Sequence, residues 1–189
     1  MANQDSAFGL RAIGKVGQNS DNQGLSEYSI AASATAIYQG DPVKAINTGT
    51  IGVAAAGDVL LGSLNGIFYT DPSTQKPTWA NHLAASNAAT DIVGYVSDDP
   101  YERFEIQSNN AGASAQTDVF MNYDIAYAAG GSPNFISKVE LDDSSVVSTT
   151  AQLRIIGVSK DPDNSELASA NTNFVVEIVE HFYKQVAGV

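Results

Sequence analysis

The dipeptide Asp-Pro occurs four times in this chain of 189 residues, and it separates short stretches in which apolar and polar residues alternate. In the clearest stretch, residues 119–127, every second residue from Val119 to Tyr127 is apolar or aromatic, and Asn122 and Asp124 lie between them. Alternation with a period of two is typical of strands, and Asp-Pro is typical of turns. Many short strands joined by frequent turns predict an all-β fold whose body is a small β-barrel or sandwich.

The same reasoning predicts further strands at 28–32, 35–39, 67–70, 92–96, 103–107, 153–158 and 174–182. Helix is expected in at most one short element. Residues 79–90 are rich in alanine and follow Pro77-Thr78, which favours one to three helical turns there. A single turn is a weaker expectation at 165–170.

Two regions are predicted from the distribution of apolar residues. Residues 1–27 carry several glycines and a polar run at 18–23, so they bury too little apolar surface to fold alone. We interpret them as an N-terminal arm that is ordered by contact with a partner, with a loose terminus as the alternative. Residues 28–189 form the β-rich body. Residues 92–100 resemble residues 155–162, which suggests two related β-units, although chance similarity also explains the match.

The charge balance excludes some classes of partner. Charged residues make up 16% of the chain, compared with about 25% in ordinary soluble domains, and the net charge is −12. Only nine residues are basic and they are scattered, so we predict that the chain binds neither nucleic acid nor an anionic membrane. No run approaches the roughly 18 apolar residues of a membrane span, and the first residues lack a signal peptide. Synthesis in a cytoplasm is therefore expected.

No set of residues with catalytic spacing emerges. The chain has no cysteine and only two histidines, His82 and His181, and neither lies in a zinc-binding or nucleophile motif. Residues 161–166 resemble the start of a calcium loop. They have Glu166 where that loop needs glycine and Thr172 where it needs a bidentate acid, so a solvated turn is favoured over a weak calcium site. We predict no enzyme activity, no cofactor and no metal.

Several segments, taken in order, resemble a known family. They are Ala7-Phe8-Gly9-Leu10-Arg11-Ala12-Ile13-Gly14-Lys15, Ile37-Tyr38-Gln39-Gly40-Asp41-Pro42-Val43, Ala55-Ala56-Gly57-Asp58-Val59-Leu60-Leu61-Gly62, Ile92-Val93-Gly94-Tyr95 and Asp99-Pro100-Tyr101-Glu102-Arg103-Phe104. Together they are similar to the head decoration, or capsid cement, proteins of tailed bacteriophages, particularly marine ones. The likeness spans most of the chain, and its motifs are structural rather than chemical.

The resemblance implies a β-tulip-like body that binds the outside of an expanded icosahedral capsid, often as a homotrimer at threefold positions. The expected partner is the major capsid protein, and the expected location is the exterior of the virion. In the predicted arm, Phe8, Leu10 and Ile13 are candidate apolar anchors, and Arg11 is a candidate donor to a capsid carboxylate or carbonyl. The alternative is a tail or fibre component that binds a host glycan, although the single tryptophan, Trp79, offers little area for stacking on sugars.

Overall fold

A computed structural model of the chain describes residues 3–17, 24–109, 114–186 and 188–189. The strands of this part are Arg11–Lys15 (β1), Ser26–Ser29 (β2), Ile37–Tyr38 (β3), Pro42–Ile46 (β4), Thr50–Val53 (β5), Gly62–Thr70 (β6), Pro77–Ala80 (β7), His82–Leu83 (β8), Val93–Ser97 (β9), Glu102–Gln107 (β10), Asn122–Tyr123 (β11), Ile125–Ala126 (β12), Glu140–Leu141 (β13), Leu153–Val158 (β14) and Asn173–Ile178 (β15). Helical structure in the same residues is limited to 3-10 turns at Gln116–Asp118, Asp143–Ser145 and Phe182–Lys184. The all-β prediction is confirmed.

The strands form two main antiparallel sheets. The first sheet has the order β1-β10-β15-β14-β11. The second has the order β2-β9-β6-β4-β5, with β7 added beside β6. Two-stranded sheets join β12 to β13 and β3 to β8, and no sheet in the described part of the chain closes into a barrel. The same residues contain no helix long and apolar enough to cross a membrane.

Each main sheet covers its own apolar core. Alternate residues of β10 and β15, such as Phe104, Ile106 and Val176, point into the first core. Leu64 and Ile67 of β6, with Val96 of β9, lie in the second. In β10 and β15 the period of two places these side chains on one face, and in β6 a register shift between Leu64 and Gly66 brings Leu64 and Ile67 to the same face. Burial of these faces stabilises each sheet.

The predicted helix at 79–90 is wrong. Trp79 lies on β7 and pairs with Phe68 across the ladder to β6, while Leu83 on β8 pairs with Ile37. The chain then turns at Ser86, whose φ is +59°. Alanine favours a helix by only a few tenths of a kcal/mol per residue, so pairing with neighbouring strands outweighs that preference. No helix forms at 165–170 either, where the chain makes turns.

The single strand predicted at 119–127 is also wrong. Phe120 has a φ of +76°, which ends the extended conformation at once. Beyond it the chain forms β11, which pairs with β14, and then β12, which pairs with β13. The alternation of apolar residues persists because both short strands face the first core, but the chain passes from one sheet to another at Asp124.

The two similar stretches do not occupy equivalent places. Residues 92–100 contain β9, a strand of the second sheet that pairs with β2 and β6. Residues 155–162 include most of β14, which lies in the first sheet and forms a ladder with β15. The topology therefore does not repeat the unit that their sequence similarity suggests.

Candidate functional site at the N-terminal strand

The segment that leads into β1 is held by hydrogen bonds from the body of the same chain. The side-chain amide of Asn3 donates to the carbonyl of Glu166 at 3.0 Å. The side-chain amide of Gln107 binds the backbone of the next residues. Its Nε2 donates to the carbonyl of Gln4 at 2.9 Å, and its Oε1 accepts from the N–H of Ser6 at 2.8 Å. Gln107 is fully buried, so these bonds are shielded from water.

Two glycines allow this segment to lie directly on the second sheet. Gly9 has a φ of +74° and Gly40 a φ of +88°, and their backbones face each other. A Cβ atom on Gly9 would overlap the carbonyl oxygen of Gly40 and lie 2.6 Å from the Cβ of Ser137. Neither position can hold a side chain without displacing the segment. The next residue, Leu10, donates its N–H to the carbonyl of Gly40 at 2.8 Å.

Leu10 belongs to the core of its own chain. Only 1% of its surface is exposed, and it packs in the first core with Phe104 and Ile106. Its carbonyl accepts a hydrogen bond from Ser63 Oγ at 2.6 Å. The expectation that Leu10 anchors the arm to a partner is therefore corrected: the residue anchors the segment to the body.

Arg11 is paired within the chain. Its Nε donates to Glu105 Oε2 at 3.1 Å, a second bond joins its Nη2 to the same carboxylate, and its guanidinium lies 4.6 Å from the ring centre of Phe8. Glu105 is buried, and its other oxygen accepts from Ser159 Oγ. A buried carboxylate needs such partners, because leaving it unpaired costs several kcal/mol.

Ile13 is the one predicted anchor whose side chain projects outward to a large extent. The ladder between β1 and β10 shifts register between Ala12 and Gly14, so Ile13 stands at a bulge. It is 45% exposed, as is Val16 just beyond the strand. β1 is also the outermost strand of the first sheet. We call Arg11, Ile13 and Val16 the β1 edge surface.

A groove runs beside this strand, between the N-terminal segment and the second sheet. Its volume is about 320 Å³, and its lining includes Phe8, Leu10, Arg11, Asn65 and Ile136. Three of the four predicted arm residues therefore meet at one place, with Ile13 outside it. Residues 3–17 of the predicted arm are ordered by contacts within this chain; residues 18–23 lie outside the described residues.

Ionisable groups cluster under the end of β1. Lys15 Nζ lies 2.7 Å from Asp99 Oδ2, and Lys15 is opposite Glu102 in the ladder. Glu102 is buried, and its Oε1 has no hydrogen-bond partner. Burial raises the pKa of Glu102 to about 7, although the charge of Lys15 acts in the opposite direction. Burial likewise lowers the pKa of His181 to about 4.

We expect Glu102→Gln to remove part of the pH dependence of stability. Since the pKa of Glu102 is raised in the fold, its protonated form stabilises the fold below about pH 4.5, and that contribution is lost as the pH rises through about 7. The variant should nearly match the wild type at pH 4.5 and exceed its free energy of unfolding by about 3 kcal/mol at pH 8. Urea unfolding across this pH range measures the difference.

The control for this prediction is Glu27→Gln, which changes an exposed carboxylate on β2. Its stability should follow the wild-type curve. Burial also raises the pKa of Asp41 to about 6 and that of Glu140 to about 7, so the wild type and both variants should all lose stability at high pH. Parallel curves for Glu102→Gln and the wild type would show that Glu102 does not titrate as proposed.

Both histidines contact neighbouring residues of the fold. The ring of His82 stacks on Phe135 at 4.0 Å and on Tyr38 at 6.1 Å. Burial lowers the pKa of His82. His181 is buried, and its Nδ1 accepts from the N–H of Tyr183 at 3.1 Å, which begins a 3-10 turn.

The loop that resembles a calcium site binds the N-terminal segment instead. Asn164 donates from its side-chain amide to the carbonyls of Gln4 at 2.7 Å and Asn171 at 2.9 Å. Thr172 is buried and accepts from the amide of Asn3 at 3.1 Å. Within the described ranges, no group of three or more histidine, aspartate or glutamate side chains is placed to hold a metal ion.

No family model matches this chain, and no match is found among curated proteins or among solved structures.

Sequence reasoning missed the partners that fix the N-terminal segment. Glu105 carries a usable signal, because a glutamate between Phe104 and Ile106 in a buried strand needs a cation or a donor nearby. Its pairing with Arg11 spans 94 positions in the sequence, and nothing local indicates it. Gly9 and Gly40 are also far apart in the sequence, and no chemical pattern indicates their contact.

Proposed function

We propose that this chain is a structural virion protein that binds the outer surface of an expanded icosahedral capsid and stabilises it. Its partner is the major capsid protein, it acts as a homo-oligomer, with a trimer favoured, and it has no catalytic role. Two features support the proposal: the ordered series of segments that resemble head decoration proteins, and an all-β body of the kind that the resemblance implies.

The observation that carries the proposal is the β1 edge surface. Edge strands of soluble proteins are usually protected by charge, proline or a bulge, and an apolar edge is a site for another chain. Here the bulge at Ile13 interrupts the ladder but turns an apolar side chain outward, and Val16 adds a second one. Side-chain contacts, rather than continuous strand addition, are the mode of binding that this geometry favours.

The mechanism is the sum of many modest contacts. One copy of the β1 edge surface offers a small interface, and small interfaces bind weakly. Copies that are joined in an oligomer bind with a high effective concentration, so a trimer on three capsid subunits holds far more tightly than one copy. A coat of this kind would resist the outward pressure of packaged DNA.

The test uses substitutions that leave the fold intact. Ile13→Asp or Val16→Asp should weaken binding to expanded capsids at least about tenfold, because each places a charge at a desolvated contact. Val146→Asp is the matched control, since Val146 is 46% exposed and lies outside the β1 edge surface. Sedimentation of each purified protein with empty expanded capsids measures the binding.

The outcomes separate the site from the function. Equal binding by all three variants would rule out the β1 edge surface as the docking face. Absence of binding by the wild-type protein would contradict the decoration function itself. The circular dichroism spectrum of each variant should match that of the wild type, so that loss of binding is not loss of folding.

One observation favours the second candidate, a tail or fibre component that binds a host glycan. Trp79 is not part of a helix but lies on the outer face of the second sheet, where other aromatic side chains surround it. The position of the protein on the particle distinguishes the two candidates, because decoration requires coverage of the head.

A further inference from the structure

Three aromatic side chains share the outer face of the second sheet. Phe68 on β6 is directly opposite Trp79 on β7, and Tyr95 on β9 is opposite Gly66. Trp79 is 57% exposed and Phe68 is 38% exposed, while Tyr95 is partly exposed. The core of this sheet lies on its other face, and none of these three rings belongs to that core.

The indole of Trp79 is held against the backbone. A Cβ atom on Gly66 would lie 2.6 Å from Cζ2 of Trp79 and 3.2 Å from both Cε2 and Cη2, so the six-membered ring covers this glycine. The ring centre is 4.9 Å from that of Tyr95, and the two planes meet at 50°. Any larger residue at position 66 would lift the indole from the sheet.

This arrangement fixes the indole before any ligand arrives. Cover of a strand glycine by an aromatic ring stabilises a sheet. That role accounts for the contact between Trp79 and Gly66, but it does not account for the exposure of Phe68 beside them. We call Trp79, Tyr95 and Phe68 the aromatic platform. A rigid ring with an accessible surface binds with little loss of conformational entropy.

The size of the aromatic platform indicates a small ligand. Aromatic side chains present about 150–250 Å² each, so the three together expose on the order of 250 Å² at their observed accessibilities. A stable protein partner needs about 800 Å² on each side. The platform is therefore too small for a protein interface, and it matches one or two rings of a small molecule.

The negative charge of the protein disfavours nucleic acid as the ligand of the aromatic platform, and the polar side chains nearby favour a neutral, hydroxylated ligand. Nucleic-acid bases stack on aromatic side chains, but their phosphates need basic groups nearby. Here Glu27 is opposite Tyr95 on β2, and the chain carries a net charge of −12. The exposed side chains of Glu27 and Ser29 on β2, the strand next to Tyr95, suit the hydroxyl groups of a neutral ligand.

From this geometry we infer that the aromatic platform is a carbohydrate-binding site for neutral glycans. The apolar C–H face of a pyranose ring stacks on the indole of Trp79 and the ring of Tyr95, and its hydroxyls reach the polar rim. The site is separate from the β1 edge surface and does not depend on the capsid-binding function. A copy that coats a particle would present this platform to polysaccharide surfaces.

The test uses the intrinsic fluorescence of the protein, because Trp79 is its only tryptophan. Purified protein is titrated with cellohexaose, chitohexaose and mannohexaose, which are neutral, and with a sulfated oligosaccharide. At least one neutral probe should give a saturable change in emission with a dissociation constant near about 1 mM, and should protect Trp79 from quenching by iodide. The sulfated probe should have no effect.

Two variants give the matched comparison. Tyr95→Ala should weaken binding of the neutral probe at least about fivefold, because it removes a stacking ring. Tyr101→Ala removes an exposed tyrosine at the turn after β9 and should leave the affinity unchanged. The absence of a saturable change with every neutral probe, or equal affinities in both variants, would overturn the inference. Either result leaves capsid binding, measured separately, unaffected.

Discussion

Replacement of Gly9 with alanine should lower the free energy of unfolding by about 3–5 kcal/mol. The added methyl group meets the carbonyl oxygen of Gly40 and the side chain of Ser137, and the backbone of Gly9 is left-handed with a φ of +74°. The N-terminal segment must then separate from the second sheet, which exposes Leu10. Urea unfolding followed by circular dichroism measures the loss.

Gly49→Ala is the control for this prediction. Gly49 has a similar φ of +78°, in the hairpin between β4 and β5, but a methyl group there meets nothing within 4 Å. It should lose only about 1–2 kcal/mol, which is the cost of the left-handed conformation. Similar losses in the two variants would mean that the contact between Gly9 and Gly40 contributes nothing beyond backbone strain.

Removal of residues 1–16 should abolish cooperative folding or come close to it. The deletion removes β1 from the edge of the first sheet, takes Leu10 out of the core and leaves buried Glu105 without Arg11. Loss of a buried leucine costs about 2–5 kcal/mol, and a buried carboxylate without its partner adds about 3–5 kcal/mol. A domain of this size has only about 5–15 kcal/mol of stability in total.

The matched control keeps the segment but replaces its exposed apolar side chains, as Ile13→Ala with Val16→Ala. Its unfolding midpoint should stay near that of the wild type, because exposed substitutions rarely change stability by more than about 0.5 kcal/mol. A shortened chain that unfolds cooperatively with wild-type stability would show that the segment is an independent arm, as the sequence analysis expected.

The expected loss of folding determines which variants can test capsid binding. A chain without residues 1–16 would fail to bind capsids simply because it is unfolded, so the deletion cannot identify a docking surface. Substitution of Ile13 and Val16 avoids the difficulty, since both side chains are largely exposed and neither belongs to a core.

Two inner strands of the first sheet, β10 and β14, were the most predictable part of the fold. Residues 103–107 and 153–158 were predicted within one residue of β10 and β14, because each has apolar residues at every second position and is bounded by turns. Three of the Asp-Pro pairs do lie at turns, and the fourth begins β4. In these segments local propensity, periodicity and turn chemistry all favour the same structure.

The errors arose where distant contacts decide the conformation. Residues 79–90 contain many alanines, yet Trp79 lies in a strand because it pairs with Phe68 and its ring packs over Gly66. Residues 3–16 have too few apolar side chains to fold alone, and contacts with the complementary surface of the body order them. Neither Gly66 nor Gly40 indicates from the sequence which residue will cover it.

The candidate site was predictable in part for the same reason. The composition around Phe8, Leu10, Arg11 and Ile13 singled out the N-terminal segment, and three of these residues line one groove. Their individual orientations depend on the ladder between β1 and β10 and on its bulge, which has no signature in the sequence. Leu10 therefore faces the core, whereas Ile13 faces outward.

The position of the protein on an intact particle tests the central claim most directly. Virus particles that carry this gene are labelled with gold-conjugated antibodies against the purified chain and imaged by electron microscopy. Decoration predicts label over the whole surface of the head, at many copies per particle. Label restricted to the tip of the tail, or intact particles without label, would contradict the account.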